Sequence, residues 1–152
     1  MPVPFSGGCA CGAIRYTCLA EPLASLNCHC RDCQRASGSA FAAVLIVPAT
    51  AFSLIQGKPS FYDVKADSGN NMSRGFCRQC GVPIFIQHTR ITPGPEVAVI
   101  HAASLDDPSW FQPTMDIYTS RAQPWDFMNP ALRKFEKGSE QVLQVLRQRG
   151  AD

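Results

Sequence analysis

The sequence predicts a mainly β chain with a short helix near its C-terminal end. Two observations carry that reading. Brief apolar runs rich in β-branched and aromatic residues recur along the chain, and Gly, Pro, Asp or Asn bound each of them. The 12 prolines and 11 glycines among 152 residues fit many short elements joined by turns.

Taken in order, Gly7-Gly8-Cys9-Ala10-Cys11-Gly12 belongs to an N-terminal hairpin. The stretch from Arg31 to Ser39 can add a turn of helix, which its Ser-Gly-Ser content keeps short. Phe41 to Val47 is a continuous apolar run ahead of Pro48, too short for a lone helix and best read as a buried strand. Ala51–Ile55, Phe61–Val64, Ile84–Gln87 and Val97–His101 repeat the pattern as further strands. The clearest helix is the last one: Ser139 can cap it and Glu140 favours its positive end. Val142, Leu143 and Leu146 form an apolar stripe before Gly150. No internal repeat or boundary interrupts the chain, so residues 1–152 are expected to form a single domain, with 45% hydrophobic residues to fill its core.

Fourteen Lys and Arg against 12 Asp and Glu leave a formal charge of +2, too little to hold nucleic acid or an anionic membrane through bulk electrostatics. The first residues lack the basic and apolar regions of a secretory signal, and no apolar run is long enough to span a bilayer. A cytoplasmic, reduced chain follows, and its eight cysteines are then metal ligands or redox groups rather than a disulfide framework.

Seven of the eight fall into three groups: Cys9-Ala-Cys11, Cys28-His-Cys30-Arg-Asp-Cys33 and Cys77-Arg-Gln-Cys80. Zinc favours four soft ligands in a tetrahedron, and a pair spaced by one or two residues can aim both sulfurs at one ion. The outer pairs each lie beside glycine, which lets the backbone curl and aim N–H groups at sulfur. Cys9, Cys11, Cys77 and Cys80 are therefore expected on one closed, structural zinc that clamps the N-terminal hairpin to a distant turn. Cys28, Cys30 and Cys33 supply only three sulfurs, the ligand count of a catalytic zinc with an exchangeable position. Two zinc ions per chain are expected, the second partly occupied because an open site releases its metal more readily.

Other arrangements of the central group stay open at this level. Cys18 or His29 can complete it as a fourth ligand, although His29 lies between two ligands and should point away. Cys30-Arg-Asp-Cys33 can instead act as a redox C-x-x-C pair with basic neighbours. Cys18 is most simply a small buried hydrophobe. Arg31 and Arg35 are candidates to grip a substrate carboxylate, with a solvated basic turn as the plain alternative. His101 is either an acid–base group near a cavity or a core histidine, with the core favoured. Asp32 can cap the turn after Cys30 or bond a ligand loop. Phe76, Trp110, Phe111 and Trp125 are expected in the core or a cleft wall.

Three stretches together resemble the glutathione-dependent formaldehyde-activating enzymes, a family that also includes centromere protein V. They are Gly7-Gly8-Cys9-Ala-Cys11-Gly12-Ala-Ile-Arg-Tyr16, Cys28-His-Cys30-Arg-Asp-Cys33-Gln-Arg-Ala-Ser-Gly38 and Arg74-Gly-Phe-Cys77-Arg-Gln-Cys80-Gly81. The resemblance implies an Mss4-like fold of folded-over antiparallel β-sheets, with the division of ligands already reached from spacing. It implies a reaction that joins formaldehyde and glutathione into S-hydroxymethylglutathione, formally a carbon–sulfur lyase run in reverse, with glutathione or a related small thiol as partner. Leu105-Asp-Asp-Pro108, Pro113-Thr-Met-Asp-Ile-Tyr118 and Trp125 extend the likeness, with one departure: Asp116 stands where the family commonly has histidine. The competing functional class is a non-catalytic zinc-binding module for protein or chromatin. A third is a redox repair enzyme, for which Cys18 is the one cysteine outside the metal groups.

Overall fold

A computed structural model describes residues 1–66, 69–90 and 96–138, together with the helical positions 140, 142, 144 and 147. Among these residues the chain is mostly β. In chain order the strands are β1 (Phe5–Gly8), β2 (Arg15–Cys18), β3 (Ala24–Cys28), β4 (Ala42–Pro48), β5 (Phe52–Gln56), β6 (Ser60–Lys65), β7 (Asn71–Phe76), β8 (Pro83–Arg90), β9 (Glu96–His101), β10 (Met115–Ile117) and β11 (Arg133–Lys134). One short helix, α1 (Arg31–Ser37), follows β3.

The strands form two sheets. The smaller has the order β1-β2-β5, and the larger β11-β10-β3-β4-β9-β8-β7-β6. Pairing is antiparallel except at the β3-β10-β11 edge, where both ladders are parallel. At the centre of the large sheet, β4 pairs with β3 and β9, so Val44 lies across from Leu26 on one side and His101 on the other.

The apolar run predicted from Phe41 to Val47 is β4, and its unbroken hydrophobicity has a direct cause. Val44 and Ile46 enter the core on one face of the sheet, and Leu45 and Val47 enter a second core on the other. A strand buried on both faces has no solvent side to alternate with. The same division splits β9, with Val97 and Val99 in the first core and Ala98 and Ile100 in the second. The small sheet closes the second core with Phe5, Tyr16 and Cys18, while α1 closes the first through Cys30 and Cys33.

The strands expected at 51–55, 61–64, 84–87 and 97–101 are present as β5, β6, β8 and β9. Glu140, Val142, Gln144 and Arg147 have helical backbone, and Val142 is buried in the first core. Ser139, Leu143, Leu146 and Gly150, on which the final helix was predicted, lie outside the described residues. No helix among the described residues is long and apolar enough to cross a membrane.

Candidate functional site

Cys9 and Cys11 occupy the turn between β1 and β2, and Cys77 and Cys80 the turn between β7 and β8. The two turns are built alike. Gly12 N–H donates to the Cys9 carbonyl, Gly81 N–H donates to the Cys77 carbonyl, and both glycines take a left-handed φ, +79° and +76°. Glycine adopts that conformation without the Cβ penalty. Across the turns, Sγ of Cys11 lies 3.6 Å from that of Cys9 and 3.7 Å from that of Cys77, and all four sulfurs sit within 4.8 Å of one another.

Backbone N–H groups aim at these sulfurs, as the curled-turn reading requires. The Ile14 amide donates to Cys9 Sγ at 3.2 Å. Burial acts against the Cys9 thiolate, but that amide and the neighbouring thiols hold its pKa below the ordinary value. At Cys80 the Val82 and Cys11 amides lower the pKa to about 6. Gly7 and Gly8 serve a different purpose from the one expected. They lie in β1 without left-handed geometry, and a Cβ on Gly7 would fall 2.3 Å from the Ser104 carbonyl oxygen and 2.4 Å from Tyr16 Oη. Close packing, rather than curl, fixes glycine there.

The second cluster lies in the first core, across the large sheet from the Cys9 and Cys77 side chains. Cys28 ends β3, Cys30 caps α1, and Cys33 sits in its first turn, so three sulfurs meet within 4.8 Å of one another, all buried. Cys30 Sγ accepts from the Cys33 amide at 3.4 Å. The cap is thus a cysteine rather than Asp32, which lies in the first helical turn. A left-handed Gly38 ends the helix, its N–H donating to the Gln34 carbonyl.

Bonds from the Cys28 and Cys33 thiols, with help from the Cys33 amide and Arg74, bring Cys30 down to about 3. Cys28 is pushed well above its ordinary range by Cys30 and Cys33. Cys33 gains from its Cys28 contact, yet the Cys30 sulfur and burial raise it to about 12. One thiol ionises easily and its neighbours then resist, because three negative sulfurs repel in a buried site. A divalent cation removes that resistance. Both clusters can hold metal ions, and the donor sets fit soft-metal chemistry: four sulfurs closing one site, three leaving a position free in the other.

His29 is not part of the trio. Its buried ring points away, with Nε2 3.1 Å from Asp116 Oδ1. Nδ1 is 3.2 Å from Asp126 Oδ2 but out of line for a hydrogen bond. Asp116 is 1% exposed and also accepts from Asn27 Nδ2 at 3.0 Å, while Lys134 Nζ lies 2.8 Å from its Oδ2. The departure at position 116 is therefore a buried carboxylate on β10 that hydrogen-bonds Asn27 and His29 beside the cysteines and pairs with Lys134 of β11. Gln34 Nε2 ties the same segment down by donating to the His29 and Arg121 carbonyls. Cys18 belongs to neither cluster. It is fully buried in the second core, with its thiol directed at the Ala20 carbonyl.

The three cysteines line a cavity of about 120 Å³. Its walls come from β3, β4, β7, β8, β9 and β10, and Met72, Arg74 and Tyr118 join the apolar side chains. Arg74 Nη2 donates to Cys33 Sγ at 3.8 Å. Arg74 is the basic residue that geometry brings to the site, whereas Arg31 and Arg35 are exposed and Arg31 bonds Gln34 instead. A single arginine three residues before Cys77, in a strand without an apolar run, was the only sequence signal for it. His101 shares this face of the sheet through its pairing with Val44, is 5% exposed and does not line the cavity. Burial, reinforced by Arg74, holds its pKa down at about 4. Trp110 and Phe111 pack on the second core as expected, but Trp125 is 69% exposed, because the side chain its loop buries is that of Asp126.

Two cysteine clusters on opposite faces of a folded β-sheet, one closed and one facing a cavity, make a β protein with two sites that could hold metal ions and room for a ligand at one of them. Residues 4–121 match the family described as glutathione-dependent formaldehyde-activating enzyme, and the chain belongs to that family. Three fungal relatives, each provisionally named glutathione-dependent formaldehyde-activating enzyme, are similar to it. The protein of Phaeosphaeria nodorum is 24% identical over 93% of this chain and 78% of its own length. That of Talaromyces marneffei is 27% identical over 76% of this chain and 64% of its own. That of Penicillium rubens is 29% identical over 72% of this chain and 61% of its own. In fold, the chain is similar to a crystal structure of a Rhodobacter sphaeroides protein, a structural-genomics target. The TM-score is 0.52 at 19% identity, over 86% of this chain and 98% of that one.

Proposed function

We propose that this chain is a zinc-dependent enzyme of the carbon–sulfur lyase type, acting on glutathione or a related thiol adduct. The observation that carries the reading is the buried Cys28/Cys30/Cys33 trio facing a cavity, in a chain of this family. In the synthetic direction a thiol adds to formaldehyde: the sulfur–carbon bond forms, the carbonyl π bond breaks, and the thiol proton ends on oxygen, giving S-hydroxymethylglutathione. When bound, zinc at this trio supplies a Lewis acid that favours the thiolate form of an incoming thiol. Cys28, Cys30 and Cys33 would hold it, and the Cys33 amide fixes the Cys30 sulfur. Arg74 places a positive charge beside Cys33, offsetting the negative charge that accumulates when thiolates gather.

Cys9, Cys11, Cys77 and Cys80 are assigned to a structural zinc, because they join two hairpin turns and leave no ligand position free. In this reading residues 1–152 work as one domain and operate in the cytoplasm, where reducing conditions keep the ligand thiols available.

Zinc content and far-UV circular dichroism of wild type, Cys30→Ser and Cys77→Ser test the division. Two zinc ions are expected in wild type, one with the fold kept in Cys30→Ser, and loss of fold in Cys77→Ser. Unfolding of Cys30→Ser would make both sites structural. NMR then follows glutathione and formaldehyde with and without the zinc-loaded protein. Unchanged rates at high protein concentration would reject the enzyme and leave the binding module.

A further inference from the structure

The cavity beside the three cysteines does not match formaldehyde and glutathione in size or polarity. Leu26, Val44, Ile46, Ile86 and Val99 contribute much of its wall, and Arg74 is the one Arg, Lys, Asp, Glu or His among the described lining residues. Arg74 stands at the cysteine end, bonded to Cys33. An enclosed, dry apolar cavity of about 150 Å³ holds a benzene molecule, and this pocket, at about 120 Å³ and open on one side, is of that order. Glutathione carries two carboxylates and an ammonium group, and moving such charges into an aliphatic wall without partners is prohibitive. Formaldehyde has no hydrocarbon part to fill the space.

We propose that the cavity binds a compact apolar hydrocarbon group, close to a benzene ring in size, carried by the substrate next to its reacting sulfur or carbonyl carbon. This rests on the trio being the reacting site. The group comes either from an apolar thiol or from an apolar aldehyde. In the second case glutathione keeps its charged ends outside, and addition gives a hemithioacetal, with the sulfur–carbon bond formed and the thiol proton on the former carbonyl oxygen. The apolar wall then selects between substrates by the hydrocarbon it buries.

The test uses zinc-loaded protein with labelled Ile, Leu and Val methyl groups. Toluene, which has neither sulfur nor carbonyl, is expected to shift the methyl signals of Val44, Ile86 and Val99. Phenylmethanethiol is expected to bind about tenfold or more tightly than 2-mercaptoethanol, the advantage of burying a ring. Val99→Phe, which fills the cavity, should remove the toluene shifts and the phenylmethanethiol advantage while zinc content stays as in wild type. The ligand series on wild type decides the matter even if that variant fails to fold. Benzaldehyde with glutathione forms the second arm: a larger protein-dependent rate enhancement over the uncatalysed addition than formaldehyde shows assigns the group to the aldehyde, and a phenylmethanethiol advantage alone assigns it to the thiol. Unmoved methyl signals with toluene and equal affinities for the two thiols overturn the proposal. If 2-mercaptoethanol and glutathione still bind in that case, the trio remains a thiol site. If no thiol binds, the reading of the trio falls as well.

Discussion

Replacing His101 by glutamine changes how stability depends on pH. In the folded chain the imidazole is 5% exposed and shares a sheet face with Arg74, and burial followed by that positive charge holds its pKa at about 4 against an ordinary 6.5. The unfolded chain therefore binds a proton in a range where the folded chain does not. Stability from this group is fully present above about pH 6.5, falls as pH drops, and levels off below about pH 4. The linkage relation gives a loss of about 1 kcal/mol between pH 7.5 and 5.5, and roughly twice that by pH 4.5. Urea unfolding of wild type and His101→Gln, both with excess zinc, isolates the contribution, because the cysteine titrations are common to both proteins. A constant offset between the curves reflects the glutamine itself, and only their divergence reports the histidine. A difference that stays within about 0.5 kcal/mol over this range would refute the reasoning and show an imidazole that takes up its proton in the folded state as readily as in the unfolded one.

Asp116→Ala leaves Asn27 Nδ2 and His29 Nε2 without their acceptor, while Lys134 loses the carboxylate but still donates to the Asn129 and Leu132 carbonyls. Stranding a buried hydrogen-bonding group costs about 1–3 kcal/mol, and two are stranded here, so a shift below about 1 kcal/mol in urea unfolding would mean that the pocket rearranges around the loss. Gly7→Ala forces a Cβ against the Ser104 carbonyl and the Tyr16 hydroxyl, which itself bonds Ser104 Oγ at 2.9 Å. Overpacking against backbone should cost about 3 kcal/mol, read as a lowered denaturation midpoint with an unchanged m value. Arg31→Gln and Arg35→Gln, on the exposed face of α1, should leave zinc content and thiol affinity as in wild type, whereas Arg74→Gln should weaken retention of the second zinc on dialysis against a chelator. Equal retention in all three would remove Arg74 from the site.

The cysteine groups were legible because metal ligation by closely spaced thiols is a local property, written into a few consecutive residues. The β4 and β9 runs were legible for a related reason, since burial on both faces leaves continuous apolar sequence. β7 was not, because Asn71-Met-Ser-Arg-Gly-Phe76 has no clear apolar alternation, and it holds its place by pairing with β6 and β8. The parallel ladders of β10 with β3 and β11 join segments distant in sequence. Arg74 and the cavity were hidden for the same reason: six strands meet to make that wall, and nothing local announces it. Arg31 and Arg35 drew attention by standing next to cysteines, but a short helix turned them outward.

The two cysteine clusters differ in the length of chain each must bring together. Cys28 and Cys33 are five residues apart, whereas Cys11 and Cys77 are separated by 66. Closing the longer loop costs roughly 2 kcal/mol more in chain entropy than closing the shorter. An ion at the trio can be held by a chain that has not yet folded, and binding to the unfolded state adds little to stability. The four-cysteine site exists only once both hairpin turns have met. On a growing chain the trio is complete when Cys33 emerges, while the clamp waits for Cys80. Whatever the four-cysteine site binds is therefore tied to the finished architecture, whereas the trio's ligands are gathered by local chain alone.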